Sequence, residues 1–311
     1  MSATTPLAAS AGPAGPAAAS ARRGLLATVR GRLNWQLALG GSVLALIALV
    51  ALLAPLIAPF DPNRQDLMMV LTSPGDVHWA GTDGIGRDLL SRLMYGARVS
   101  LGVAGLGMLV SIVVGVGAGM LAVFGGKWSE RIVLRTIDVQ LAFPYILLAV
   151  AITSAVKPSF AVLVLLMGLA GWAGAARVVR SVALGERGKD YVRAAEMVGA
   201  SRVRIARKYV FPSVLPSVLV LAPMQMSAMI VFESTLSFLG MGVRPPTPTW
   251  GGIMLEGKDY LADAWWITTL TGLAIFVTAL SLMLIGDGLQ RITGQRIDAI
   301  GGTVESREEK S

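Results

Sequence analysis

The sequence predicts an all-α membrane protein with six transmembrane helices. Of its 311 residues, 54% are hydrophobic and a further 36 are glycine, while only 15% are charged. A soluble domain covers itself with about a quarter charged residues, so this chain lacks the polar surface that water demands. Uncharged or nearly uncharged stretches also recur at the length needed to cross about 30 Å of hydrocarbon, which takes about 20 helical residues. Lastly, 20 of the 27 lysines and arginines fall in alternate connections, the bias that holds loops on the cytoplasmic side.

Residues 1–36 open with Ala, Pro, Ser and Gly and end basic. That mixture has too little large apolar surface to offset the entropy of ordering, so a disordered cytoplasmic tail is expected. Arg22 and Arg23 follow the Ala-rich tract instead of preceding it, which argues against a signal peptide. A transmembrane domain then spans 37–294, with crossings at about 37–57, 99–124, 139–156, 158–176, 212–240 and 264–286, and 295–311 form a cytoplasmic C-terminal tail. Only Lys157 separates the third and fourth crossings, and Pro158 favours a tight hairpin there. Gly115 and Gly119 in the second crossing, and Gly168, Gly171 and Gly174 in the fourth, allow close helix approach. Pro216 and Pro223 each remove a backbone donor from the fifth, which is expected to kink. Six crossings place both termini in the cytoplasm, with 20 basic residues inside against 7 outside.

Two connections are too long to be turns. The outer one, 60–98, begins with Phe60-Asp61-Pro62-Asn63 and ends in an amphipathic stretch from Gly86 to Arg98. Leu89, Leu90, Leu93, Met94 and Ala97 share one face, with Arg87, Asp88, Ser91 and Arg92 opposite, so an outer helix lying along the interface is expected. In the cytoplasmic loop 185–210, Asp190 is a plausible N-cap, Tyr191–Val198 can make two turns, and Gly199 suits the left-handed residue that ends a helix. Ser201 can cap a second helix running to Val210, before Pro212. The pair forms a compact knob.

Chemistry is restricted by what is missing. The chain has no cysteine and one histidine, His78, so multi-histidine metal clusters and thiolate sites are impossible and no metal site is expected. A phosphate-binding loop of the type Gly-x-x-x-x-Gly-Lys-Ser/Thr is absent: Gly126-Lys127 is followed by Trp128, and Gly188-Lys189 by Asp190. If ATP is used, another chain hydrolyses it. The net charge of +8 is spread over short connectors, which marks topology and not a nucleic-acid surface. Glu233 is the acid well inside a crossing, where an acid costs about 2.5 to 3.5 kcal/mol on insertion scales. With Ser234 and Ser237 it either lines a translocation pathway or bonds to a neighbouring helix. One such acid is thin support for the alternative reading, a self-contained secondary transporter or channel. An intramembrane hydrolase would need a nucleophile with a base, or a second acid.

The cytoplasmic knob resembles the EAA loop of bacterial ABC importer permeases. Tyr191-Val192-Arg193-Ala194-Ala195-Glu196-Met197-Val198-Gly199, then Tyr209-Val210-Phe211-Pro212, keeps Ala194, Ala195, Gly199 and Pro212 in register, with Arg193 where the pattern has its first Glu. Gly81-Thr82-Asp83-Gly84-Ile85-Gly86-Arg87-Asp88 in the outer loop, and Glu233-Ser234-Thr235-Leu236-Ser237-Phe238-Leu239-Gly240 with Pro245-Pro246-Thr247-Pro248-Thr249-Trp250-Gly251, resemble the peptide and nickel permeases of that family. The likeness runs from about Leu37 to Gly294 and is similar to the second permease of dipeptide and oligopeptide importers. It implies a type I importer architecture with a coupling helix, in a bacterial inner membrane. It also implies partners: a homologous permease, two ATP-binding subunits, an extracytoplasmic solute-binding protein and surrounding lipid, but no nucleic acid. ATP and Mg would sit on the partner subunits, with no cofactor in this chain. Asp190, Arg193, Ala194, Ala195, Glu196, Gly199 and Pro212 would then make the ATPase-coupling loop, and Gly81, Thr82, Asp83, Gly86, Arg87 and Asp88 the outer-loop motif.

Overall fold

The computed structural model describes residues 35–308, with side chains described through Gly294. The expected N-terminal tail therefore lies outside the described residues, apart from Trp35 and Gln36, which are already helical. Regular structure among the described residues is helical: α1 (Trp35–Ile57), α2 (Leu89–Phe124), α3 (Lys127–Ala142), α4 (Tyr145–Ala155), α5 (Phe160–Arg187), α6 (Asp190–Met197), α7 (Arg202–Ile205), α8 (Phe211–Phe238), α9 (Trp250–Gly257) and α10 (Trp265–Glu308). Among the described residues, five helical segments are long and apolar enough to cross a membrane, and the pair α3 and α4 makes a sixth if counted as one bent span. Exposed tryptophans mark both ends of the bundle. Trp35 and Trp128 lie at the end that carries α6, and Trp79 and Trp265 at the far end, as expected of rings that settle at the headgroup level.

Three expected elements take a different form. No separate interfacial helix precedes the second crossing: α2 is one helix of 36 residues, about 54 Å long. Its polar face is not turned to headgroups, because Ser91 and Arg92 are buried by the preceding loop, so nothing draws this segment flat onto the interface. The third crossing, expected at 139–156, is broken. Pro144 forces Phe143 into extended backbone (φ −97°, ψ 132°), and α3 and α4 meet there at 85°. With 11 residues, α4 spans about 16 Å, half the hydrocarbon. Finally, Pro212 does not end the second helix of the knob. The chain runs helically from Arg202 to Phe238 through one widened π turn, Ala206–Val210, in which the Phe211 N–H reaches back to the Ala206 carbonyl. The proline ring collides with the carbonyl four residues back in a regular α-turn, and a π turn opens the space. Helix α10 continues into the C-terminal tail, as far as Glu308.

Small residues hold the centre. A Cβ on Gly115 would lie 2.5 Å from the Ala175 Cβ, one on Gly119 2.8 Å from the Ala176 carbonyl, and one on Gly168 2.5 Å from Val110. Helices α2 and α5 thus meet backbone to backbone, as their glycine spacing predicts. Gly174 is the exception, with nothing near it. A polar thread adds direction: Ser111 of α2 donates to the Gln225 side-chain carbonyl (3.3 Å), and the Gln225 amide donates to the Gly171 carbonyl (2.9 Å), joining α2, α5 and α8.

Candidate functional site

Helix α6 stands outside the bundle, joined to α5 by Gly188 and Lys189 alone. Its first backbone carbonyl acceptor is Lys189, which takes the N–H of Val192 and Arg193 at 3.1 and 3.2 Å. Lys189 is thus the N-cap in place of Asp190, which is fully exposed in the first turn, where an acid suits the positive end of the helix dipole. At the other end the Ala200 N–H bonds the Ala195 carbonyl and the Gly199 N–H the Glu196 carbonyl, both at 3.0 Å, with Gly199 at φ +85°. This is a Schellman closure, and it needs the left-handed residue that glycine supplies. Ser201 then caps α7 by accepting the Arg204 N–H.

Only Val192 of α6 is buried, against Val123, Val179, Ile205 and Val214. Glu186 grips the helix start, accepting Lys189 Nζ at 2.6 Å and Tyr191 Oη at 2.5 Å. Arg193, Ala194 and Glu196 face outward, Ala195 is half-buried, and Met197 and Val198 are 84% and 88% exposed. A groove of about 490 Å³ runs beside them, between Tyr191, Ala195, Val198, Arg204 and Tyr209. Exposed apolar side chains flanked by charge occur where a surface meets another protein, a membrane or a ligand. The structure thus brings Asp190, Arg193, Ala194, Ala195, Glu196 and Gly199 onto one projection. Pro212 lies apart from it, in the first turn of α8.

The far end holds a second constellation. Gly81 and Gly86 adopt φ +78° and +75°, turning the loop so that Asp83 points inward. Asp83 Oδ1 accepts the N–H of Ile85 and Arg87, both at 3.0 Å, while Oδ2 receives Arg87 Nε at 2.7 Å and Arg92 Nη1. Both guanidinium groups also reach Glu256 of α9, at 2.6 and 2.5 Å. Burial raises the Asp83 pKa, but Arg92, the two N–H donors and Arg87 outweigh it and hold the carboxyl below the ordinary range. Asp88 caps α2 by accepting the N–H and hydroxyl of Ser91 at 2.8 and 2.6 Å. Its other oxygen lies 2.9 Å from His78 Nδ1, so His78 pairs with Asp88 and not with Asp76 or Asp83. The Thr82 carbonyl accepts the Trp266 indole N–H at 3.2 Å. The outer-loop motif is thus a lock that ties the loop to α2, α9 and α10. No group of three or more His, Cys, Asp or Glu arranged to hold a metal occurs among the described residues.

Glu233 is completely buried, and Ser234 and Ser237 are buried beside it in the chain. Ser237 donates to one Glu233 oxygen at 2.7 Å, and Ser100 of α2, which accepts the Trp250 N–H at 3.2 Å, stands beside it. The carboxylate therefore lies where α2, α8 and α9 converge, and not on an open surface. Sequence reasoning missed Glu256, Gln225 and Arg187, because each has a hydrogen-bond partner over 50 residues away.

A helical membrane subunit with a small projecting helix has the architecture of a transport permease. The chain belongs to the binding-protein-dependent transport system inner membrane component family, whose model matches residues 111–299. Residues 35–74 match the N-terminal transmembrane domain of oligopeptide transport permease C. A putative peptide transport system permease of Brucella suis is 38% identical over 263 residues, covering 85% of this chain and 88% of that protein. The di/tripeptide transport system permease of Pseudomonas aeruginosa is 37% identical (81% and 86% covered), and the nickel transport system permease of Escherichia coli 34% (83% and 93% covered). The inward-facing MetNI methionine ABC transporter shares the fold with a TM-score of 0.51 at 17% identity, covering 66% of this chain and 95% of that one. The protein is a multi-pass permease subunit of an ABC importer, and not an enzyme.

Proposed function

We propose that this permease passes dipeptides or oligopeptides inward, with a homologous second permease, two ATP-binding subunits and an extracytoplasmic solute-binding protein. The α6 end then faces the cytoplasm together with both termini, and the far-end lock faces the binding protein. The peptide transport permeases among the relatives support the substrate class. The observation that carries the mechanism is α6 itself, an exposed helix anchored by one buried valine and closed by a left-handed glycine. A helix held so lightly can follow a partner's movement and pass it to the helices at either end. Gly199→Val tests this. A β-branched residue at φ +85° costs about 1 to 2 kcal/mol or more, and since nothing lies within 4 Å of a Cβ there, the whole effect is on the turn. Uptake of radiolabelled dialanine is expected to fall at least tenfold with normal membrane abundance, while Gly199→Asn, which tolerates the left-handed region, retains most of it. Equal uptake by the valine variant overturns the assignment.

In this reading Glu233 is a structural carboxylate, bonded to Ser237 within α8 and packed beside Ser100 of α2. Glu233→Gln preserves an oxygen for the Ser237 hydroxyl and is expected to leave abundance and uptake within about twofold of the parent. A large fall in uptake at unchanged abundance returns the residue to the translocation pathway.

A further inference from the structure

We infer that Arg187 is a positioning residue that ties the coupling helix to α2, and through α2 to the lock at the opposite membrane face. The inference rests on α6 being the ATPase contact. The chain links α6 covalently to α5 and, through α7, to α8; it offers α2 no such connection. Arg187, the last residue of α5, supplies one. Its Nη1 donates to the Val123 carbonyl at 2.9 Å, and its guanidinium lies 5.6 Å from the Phe124 ring centroid. Val123 is in the last turn of α2, where carbonyls lack helical partners and the dipole is negative, so a cation is well matched there. From the same side chain, Nε stands 4.0 Å from Glu196 of α6. Val123 also packs in the cluster that receives Val192, the buried residue of α6. Arg187 therefore sits at the junction of three helices, with Gly188 and Lys189 alone between it and α6.

What α2 receives at this end it can deliver at the other. The helix holds no proline and is clamped along α5 by Gly107, Gly115 and Gly119, so it shifts as a rod. Its cap Asp88 and the Arg92 of its first turn hold the outer loop, through His78 and Asp83, and Arg92 also holds Glu256. Displacement of α6 by the ATPase then moves the lock. A binding protein pressing on the lock then pushes on the same rod from its other end, and so on α6 and the ATPase seated there.

That back-action is the readout. In the complex purified with its partner subunits and reconstituted in lipid, ATP hydrolysis is measured with and without the binding protein saturated with dialanine. Arg187→Gln is expected to reduce the ratio of stimulated to basal hydrolysis about fivefold, the lower end of typical coupling. Arg187→Lys, which retains the charge and a donor for Val123, is expected to recover most of it. A parental ratio in Arg187→Gln overturns the inference, even if its melting temperature falls. Should that variant not assemble, Phe124→Ala, which removes the ring beneath the guanidinium, must lower the ratio, and an unchanged ratio there overturns it equally. Failure of the underlying reading is distinguishable, because residues 190–199 of the unmodified chain would then crosslink to no ATPase.

Discussion

Arg92→Gln is expected to destabilise the protein by about 3 to 5 kcal/mol, the range for breaking a buried ion pair from one side. Arg92 and Asp83 have side chains only 3% and 2% exposed, and Glu256 converges on the same guanidinium at 2.5 Å. Without Arg92, Arg87 alone faces two carboxylates, and Asp83 has no water to turn to. Heating the detergent-solubilised complex should show an earlier transition, and limited proteolysis should cut the loop 60–88. Adding Asp83→Asn removes the stranded charge and should restore part of the loss. A parental melting point and digestion pattern in Arg92→Gln would sink this account of the lock. The pH dependence has a definite sign. The folded Asp83 pKa lies below its ordinary 3.8, so this contribution is complete above that value and is lost as pH falls through the lower, folded one. The loop should therefore resist mild acid and become protease-sensitive only under stronger acid.

Gly115→Val is expected to prevent stable assembly. Its Cβ would lie 2.5 Å from the Ala175 Cβ, 2.8 Å from the Trp172 carbonyl and 3.1 Å from the Ala176 nitrogen. Two of these are backbone atoms of α5, which cannot rotate away as a side chain can. Overpacking costs about 1 to 3 kcal/mol where side chains can shift, and here α2 and α5 must separate, loosening the Ser111–Gln225–Gly171 thread as well. Gly117→Val is the matched control: it lies on the same helix with nothing within 4 Å of its Cβ, and should accumulate normally. Equal membrane abundance and equal melting of the two variants would refute the backbone contact.

The long helices were legible because hydrocarbon thickness and apolar run length are the same quantity seen from two sides. The α2–α5 contact was legible in the spacing of Gly115, Gly119, Gly168 and Gly171, and the end of α6 in Gly199. What escaped had a common cause, namely partners remote in sequence. Read locally, Arg92 is the polar side of an amphipathic stretch; its burial depends on Glu256, 164 residues on. Read locally, Glu233 is an acid with one nearby donor, Ser237; its burial depends on α2 and α9, where Ser100 and Trp250 meet. The break at Phe143-Pro144 is different, since the local signal was present and the apolar run across it concealed the bend.

The π turn at Ala206–Val210 has a geometric result of its own. A turn that consumes one residue beyond the α-helical count rotates everything before it by about 100° relative to an unbroken helix, because each residue advances the spiral by that angle. The azimuth at which Val203 and Arg204 face outward is thus set by a single surplus residue, and excising one amino acid from this turn would swing them to a different side of the axis without altering any side chain.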